Sequence, residues 1–251
     1  MSERLRLDLA LERRGFVPSR ARARDAIRRG TVSVNGVAAN KPNQLVGPDD
    51  ALVLDDPAAG YVSRAALKLL AGLDAAGIDP RGKICLDVGA STGGFTQVLA
   101  ERGAARIYAV DVGHGQLHDN LRGRPGIVSL EGTNARDLTR ASIPEPIELL
   151  VSDVSFVSVS KVLAPPLALC APEATAIILY KPQFEVGRAH VGKGGIVSDA
   201  AASARAMAAV IGFVEAAGFT HRLSVPSPIA GGDGNRETVL VFERGPAPAG
   251  A

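Results

Sequence analysis

Apolar residues recur along this chain at two different periods, and the change from one to the other separates two regions. Near the amino terminus Leu7, Ala10 and Leu11 form one helical stripe, with Gly15 following where a left-handed helix end belongs. Ser19 is placed to cap a second helix that buries Ala23, Ala26 and Ile27 and stops at Gly30. Arg20, Arg24 and Arg28 share the outer face of that helix. Thr31-Val32-Ser33-Val34, the pair Asn35-Gly36 and Val37-Ala38-Ala39 predict a hairpin with a type I′ turn. A turn at Gly47-Pro48-Asp49-Asp50 precedes a strand through Leu52, Val53 and Leu54.

Past the small, turn-prone stretch Asp56-Pro57-Ala58-Ala59-Gly60, apolar strands alternate with helical stretches. The strands are expected at 84–88, 106–112, 127–130, 149–153, 176–180, 223–225 and 238–242. Seven strands in that alternation predict an α/β domain with a mostly parallel sheet covered on both faces. The expected organisation is a small domain at 1–57, a linker at 58–62, a larger domain at 63–245 and a flexible tail at 246–251.

Charge changes this picture more than composition does. Residues 1–50 carry ten Lys or Arg against six Asp or Glu, a net +4, and the other 201 residues carry eighteen against twenty, a net −2. A basic first segment suggests a polyanionic partner; composition alone leaves a solvated arginine face as the alternative. No apolar run reaches the roughly 18 residues of a membrane span, and the arginine-rich start lacks the apolar core of a signal peptide, so the cytoplasm is expected and no membrane partner is. Cys85 and Cys170 sit in apolar stretches resembling a strand and a helix, outside any metal-ligand spacing, and are expected in the core. His114 and His118 have helical spacing without a third ligand nearby, so no metal site is expected.

The candidate chemistry lies at the strand ends. The first strand of the larger domain runs into Asp87-Val88-Gly89-Ala90-Ser91-Thr92-Gly93-Gly94-Phe95, a turn whose glycines let a ligand approach the backbone. Asp111, eighteen residues after Gly93, ends the second strand, where a carboxylate can accept bonds from both hydroxyls of an adenosine ribose. The dinucleotide fingerprint and a Walker lysine are both absent, and Asp87 would repel a pyrophosphate while suiting the ammonium or sulfonium of S-adenosylmethionine. Lys181, at the end of an apolar strand, needs a partner, and Asp153 on the neighbouring strand is the candidate.

The first fifty residues, with two helices, a basic face and Val32-Ser33-Val34-Asn35-Gly36, resemble the S4 RNA-binding domain over roughly residues 4–55. That resemblance implies an RNA-docking surface at Arg20, Arg22, Arg24, Arg28 and Arg29, with Arg4, Arg6 and Arg64 as further candidates. The turn Asp87 to Phe95 resembles motif I of Rossmann-like methyltransferases; this implies cofactor contacts along Asp87, Gly89, Ala90, Ser91, Thr92, Gly93, Gly94 and Phe95, then at Asp111, Val112, Asn134, Ala135 and Asp153. Lys68, Asp153, Lys181 and Glu237 resemble, in order, the catalytic tetrad of the FtsJ-type ribose 2′-O-methyltransferases. The Asp/Asn-Pro-Pro-aromatic motif of amino-group methyltransferases is missing after Ser152, and neither cysteine stands in a loop as C5-methylation of a pyrimidine requires.

Taken with Val62 to Leu69, Asp111 to Leu117, Ser152 to Phe156, Lys181 to Gly187 and Gly234 to Glu237, the motifs are very similar to those of the hemolysin A / TlyA family. Membership implies S-adenosylmethionine-dependent 2′-O-methylation of cytidine in ribosomal RNA within ribosomal subunits, the large subunit favoured by the short stretch after the last strand and the small one left open. It also implies a lid at Glu185 to Asp199. Tyr61 stands where the family often has tryptophan. Two other classes compete: a non-catalytic ribosome-assembly factor, and the membrane-damaging hemolysin of the family's older name.

Overall fold

The computed structural model describes residues 4–245, which form two compact units dividing between Gly60 and Tyr61. The tail expected at 246–251 lies outside the described residues. In the first unit β1 (Leu5–Arg6) leads into α1 (Leu7–Arg13), then α2 (Arg20–Arg28), β2 (Val32–Val34), β3 (Val37–Ala38), β4 (Leu45–Val46) and β5 (Leu52–Leu54). Ser19 caps α2 by accepting from the Arg22 N–H, and Asn35 (φ 52°) and Gly36 (φ 78°) make the β2–β3 turn. The strands pair as β3-β2-β5 and, separately, β1-β4. That second pair was not expected, because two-residue strands are too short to show an alternation. Leu7, Leu11, Ala23, Ile27 and Val32 form the core.

The second unit contains α3 (Ala66–Ala76), β6 (Ile84–Val88), α4 (Gly94–Glu101), β7 (Arg106–Val110), β8 (Ile127–Leu130), β9 (Ile147–Ser152), α5 (Ala164–Ala168), β10 (Cys170–Tyr180), α6 (Pro182–Glu185), α7 (Ala200–Ala216), β11 (Thr220–Pro226) and β12 (Thr238–Arg244). The seven strands lie in the order β11-β12-β10-β9-β6-β7-β8, and β12 alone runs opposite to the other six. Successive residues point to opposite faces: Leu86, Leu150 and Ile178 pack beneath α5 and α7, while Cys85, Leu149 and Ile177 pack beneath α3 and α4. Gly72 lets α3 press onto the sheet, since a Cβ there would meet Val239 at 2.8 Å.

One expected placement is corrected. Cys170 opens β10 rather than lying in a helix; α5 ends at Ala168, and β10 starts six residues before the strand expected at 176–180. Pro172 and Glu173 break the apolar run that would have marked the longer strand, and the pairing of β10 with β9 shifts register between Cys170 and Thr175.

Candidate active site

Three strand ends and one helix bring four charged side chains together. Asp153 follows β9 and Lys181 follows β10, so both stand at the carboxyl edge of the sheet. Because β12 is antiparallel, Glu237, which precedes its first residue, arrives at that same edge. Lys68 comes from the first turn of α3. Lys181 Nζ lies 2.6 Å from Asp153 Oδ1, and Lys68 Nζ lies 2.5 Å from Glu237 Oε2 and 4.0 Å from Asp153 Oδ2. Lys68, Lys181 and Glu237 are each less than a tenth exposed. Two ammoniums and two carboxylates balance, which is the condition for keeping such charges out of water.

Beside this cluster is a cavity of about 530 Å³, lined from four strand ends: Gly89 and Ser91 after β6, Asp111 and Val112 after β7, Asn134 and Ala135 beyond β8, and Asp153 to Val157 after β9. It sits where the connections from β6 and β9 leave in opposite directions, the position open α/β sheets use for ligands. A Cβ on Gly89 (φ 85°) would crowd the Asp153 carbonyl oxygen at 3.2 Å, and the positive φ itself favours glycine. Asp111 accepts from the Ser91 and Gly113 N–H groups, one on each carboxylate oxygen, which fixes its orientation at the cavity wall. Lys68, Lys181 and Glu237 are not in that wall.

Six residues expected against the cofactor do not line the cavity: Asp87, Ala90, Thr92, Gly93, Gly94 and Phe95. Asp87 is inside β6 and fully buried, Ala90 is nearly so, and Phe95 packs in the core under α4. Gly93 makes room for Leu117 and Leu121, and Gly94 for Ser63 at the entry to α3. Thr92 is exposed, with its carbonyl accepting from His118. The glycines of this turn therefore serve helix packing as much as ligand approach. Ser155, Phe156, Gln116 and Arg136 are cavity residues that the sequence did not single out. Ser155 Oγ lies 2.6 Å from Lys181 Nζ; a hydroxyl two residues after Asp153 in a strand-end loop was the available signal. Phe156, 91% exposed at φ 65°, is tilted against Phe184 with 5.3 Å between rings.

Asp87 has a definite role without touching the cavity. One oxygen accepts from Thr96 Oγ1 of α4 at 2.6 Å, and the other has no hydrogen-bond partner among the described residues. Burial pushes its carboxyl up to about 7 against the bond from Thr96, and the charges of Asp153 and Asp111 add to the rise. A folded value above the unfolded one means the folded protein binds more protons between about pH 4 and 7, so stability falls as pH rises through that window. Asp87→Asn, which keeps an acceptor for Thr96, is expected to raise the thermal midpoint near pH 8 and to leave it unchanged near pH 4. By linkage the gain is at most about 4 kcal/mol; equal effects at both pH values would contradict this account.

The segment from Glu185 to Asp199 is anchored at several points. Glu185 accepts from Ser158 Oγ and the Val159 N–H. Asn235, 3% exposed, donates to the Gly195 carbonyl and accepts from the Val197 N–H, tying the segment to the turn that carries Glu237.

Residues 61–244 match the model of the FtsJ-like methyltransferase family, and residues 5–52 match that of the S4 domain. A Mycobacterium tuberculosis protein named 16S/23S rRNA (cytidine-2′-O)-methyltransferase TlyA is 46% identical over 96% of this chain and 90% of its own length. The chain belongs to the TlyA-type FtsJ-like methyltransferases. Hemolysin A of Brachyspira hyodysenteriae is 38% identical over 95% of this chain and 99% of its own. A solved structure of a hemolysin-named protein from Streptococcus thermophilus is 32% identical, with a TM-score of 0.76 over 99% of this chain and 91% of that one.

Within this family the remaining side chains can be sorted by chemistry. Burial pushes the thiols of Cys85 and Cys170 up to about 12, and both are free and buried, which leaves neither as a thiolate nucleophile. His114 packs against Gly132, and among the described residues no group of His, Cys, Asp and Glu is arranged to hold a metal. No helix among the described residues is long and apolar enough to cross a membrane. Of the arginines expected at RNA, Arg4 and Arg28 are exposed, Arg22 donates to the Ala58 carbonyl, and Arg29 binds Asp25 and Asp56. Arg6, Arg20 and Arg24 converge on Asp8. Arg64 stands in the second unit, just before α3.

Proposed function

We propose that this methyltransferase uses S-adenosylmethionine to methylate the ribose 2′-hydroxyl of a cytidine in ribosomal RNA, with the large subunit as the first expected substrate. The observation that carries the reading is the convergence of Lys68, Asp153, Lys181 and Glu237 beside a cavity of cofactor size. The cavity lining fits the cofactor: Asp111 would offer a carboxylate to ribose hydroxyls, Gly89 and Ser91 would border it with backbone, and Asn134 and Ala135 would meet the adenine. Bound there, S-adenosylmethionine supplies an electrophilic methyl group.

The protein's own work is on the acceptor. A ribose hydroxyl is a very weak acid, so its oxygen becomes a nucleophile only where the charge developing on it is stabilised. Lys181, held by Asp153 on one side and Ser155 on the other, both at 2.6 Å, supplies a positive charge that stabilises the negative charge building on that oxygen as the methyl group arrives and the proton leaves to water. Lys68, anchored on Glu237, sets a second positive charge near Asp153 and holds the hydroxyl oxygen in line. The name of the Mycobacterium tuberculosis relative supports the cytidine ribose as acceptor, and the buried thiols weigh against C5-methylation.

The test is transfer of a tritiated methyl group to purified large and small subunits. Label on the large subunit is expected from the wild type and absent from Lys181→Ala. RNA binding without any transfer would favour a non-catalytic assembly factor and overturn the proposal.

A further inference from the structure

We infer that Asp8, a buried carboxylate in the first turn of α1, is a positioning residue for RNA: it gathers Arg6, Arg20 and Arg24 into one preorganised guanidinium platform for backbone phosphates. The inference rests on reading the chain as an RNA methyltransferase and concerns how the first unit holds its substrate. Asp8 is fully buried. Arg6 grips it with both prongs of its fork, Nε to Oδ1 and Nη2 to Oδ2, each at 3.1 Å. Arg20 Nη2 and Arg24 Nε, one turn apart on α2, reach Oδ2 at 3.2 and 3.0 Å. The three arginine side chains remain 40–45% exposed.

One carboxylate among three guanidiniums leaves a net +2 at the surface. Unaided, three like charges so close together would splay apart, and each long side chain would lose its rotamer freedom only on meeting the ligand. With Asp8 beneath them that ordering is already made in the free protein. Burial opposes the charge on Asp8, but the bonds from Arg6, Arg24 and Arg20 outweigh it and hold the carboxyl far below the usual carboxylate range. The clamp is therefore charged throughout the physiological pH range. Planar guanidiniums with donors to spare match phosphate oxygens, and a cluster of fixed spacing selects backbone geometry rather than base sequence.

The assignment makes a prediction opposite in sign to one from charge alone. Asp8→Asn removes a negative charge from a basic domain, so a simple field would tighten RNA binding; a lost platform loosens it. The measurement is fluorescence anisotropy of the full-length protein with deproteinised large-subunit ribosomal RNA at about 0.15 M salt, beside methyl transfer to whole subunits. Asp8→Asn is expected to weaken RNA binding roughly tenfold and to raise KM for subunits more than it lowers kcat.

Should Asp8→Asn fail to fold, two variants of equal charge decide the matter. Arg24→Gln is expected to weaken binding several-fold more than Arg13→Gln, since Arg13 is an exposed arginine of α1 not bonded to Asp8. Unchanged or tighter binding by folded Asp8→Asn, or equal losses in Arg24→Gln and Arg13→Gln, would overturn the platform. Failure of the wild type to transfer methyl groups would instead overturn the functional reading beneath it.

Discussion

Lys181→Ala is expected to slow methyl transfer by about two to three orders of magnitude, the usual weight of a group that stabilises charge developing in the transition state. Cofactor binding, measured by calorimetry, should stay within about threefold of wild type by the same differential-binding argument, because Lys181 does not line the cavity. The two readouts separate a catalytic lysine from a structural one. A lysine that only neutralised Asp153 would, on removal, disturb the loop after β9 and with it the cavity wall formed by Asp153 to Val157. Cofactor affinity and rate would then fall together. Near-normal transfer with cofactor bound would remove Lys181 from the chemistry.

Asp153→Ala is expected to cause the largest loss of stability. Asp153 lies 2.6 Å from Lys181 and 4.0 Å from Lys68, so its removal leaves Lys181, 6% exposed, with no anion beside it among the described residues, only Ser155 Oγ, a distant carbonyl and the Phe184 ring 6.0 Å away. Stranding a buried ammonium in this way costs about 3 kcal/mol, visible as a lowered urea midpoint. The double variant Asp153→Ala/Lys181→Met removes the stranded charge and is expected to recover most of that loss while staying inactive. An unchanged midpoint in Asp153→Ala would show the pair to be screened by solvent, and the four charges would not be a buried unit.

The parts of this molecule legible in its sequence are those set by local chemistry. Asn35-Gly36 needs two positive φ angles, Ser19 needs a free N–H two or three residues on, and a lysine at the end of an apolar strand needs an anion; each appears as expected. Glu237 could be placed beside Lys68 only once β12 was known to run against its neighbours, and nothing in Thr238 to Arg244 encodes direction. The glycine-rich turn was legible as a turn, but not in how its residues divide. Gly89 faces the cavity, whereas Gly94 and Phe95 serve packing, a distinction made by α3 and by the core, distant in sequence. Asp8 was invisible for the same reason: its partners come from β1 and α2, and the arginine stripe of α2 reads as solvated until the carboxylate beneath it is located.

The central claim is that the accepting atom is a ribose oxygen. Ribosomal RNA incubated with the protein and S-adenosylmethionine, digested to nucleosides and resolved by mass spectrometry, tests it most directly. The proposed function predicts 2′-O-methylcytidine, with a site that resists alkaline cleavage on its 3′ side. A methyl group on the cytosine ring or its amino group would contradict the account.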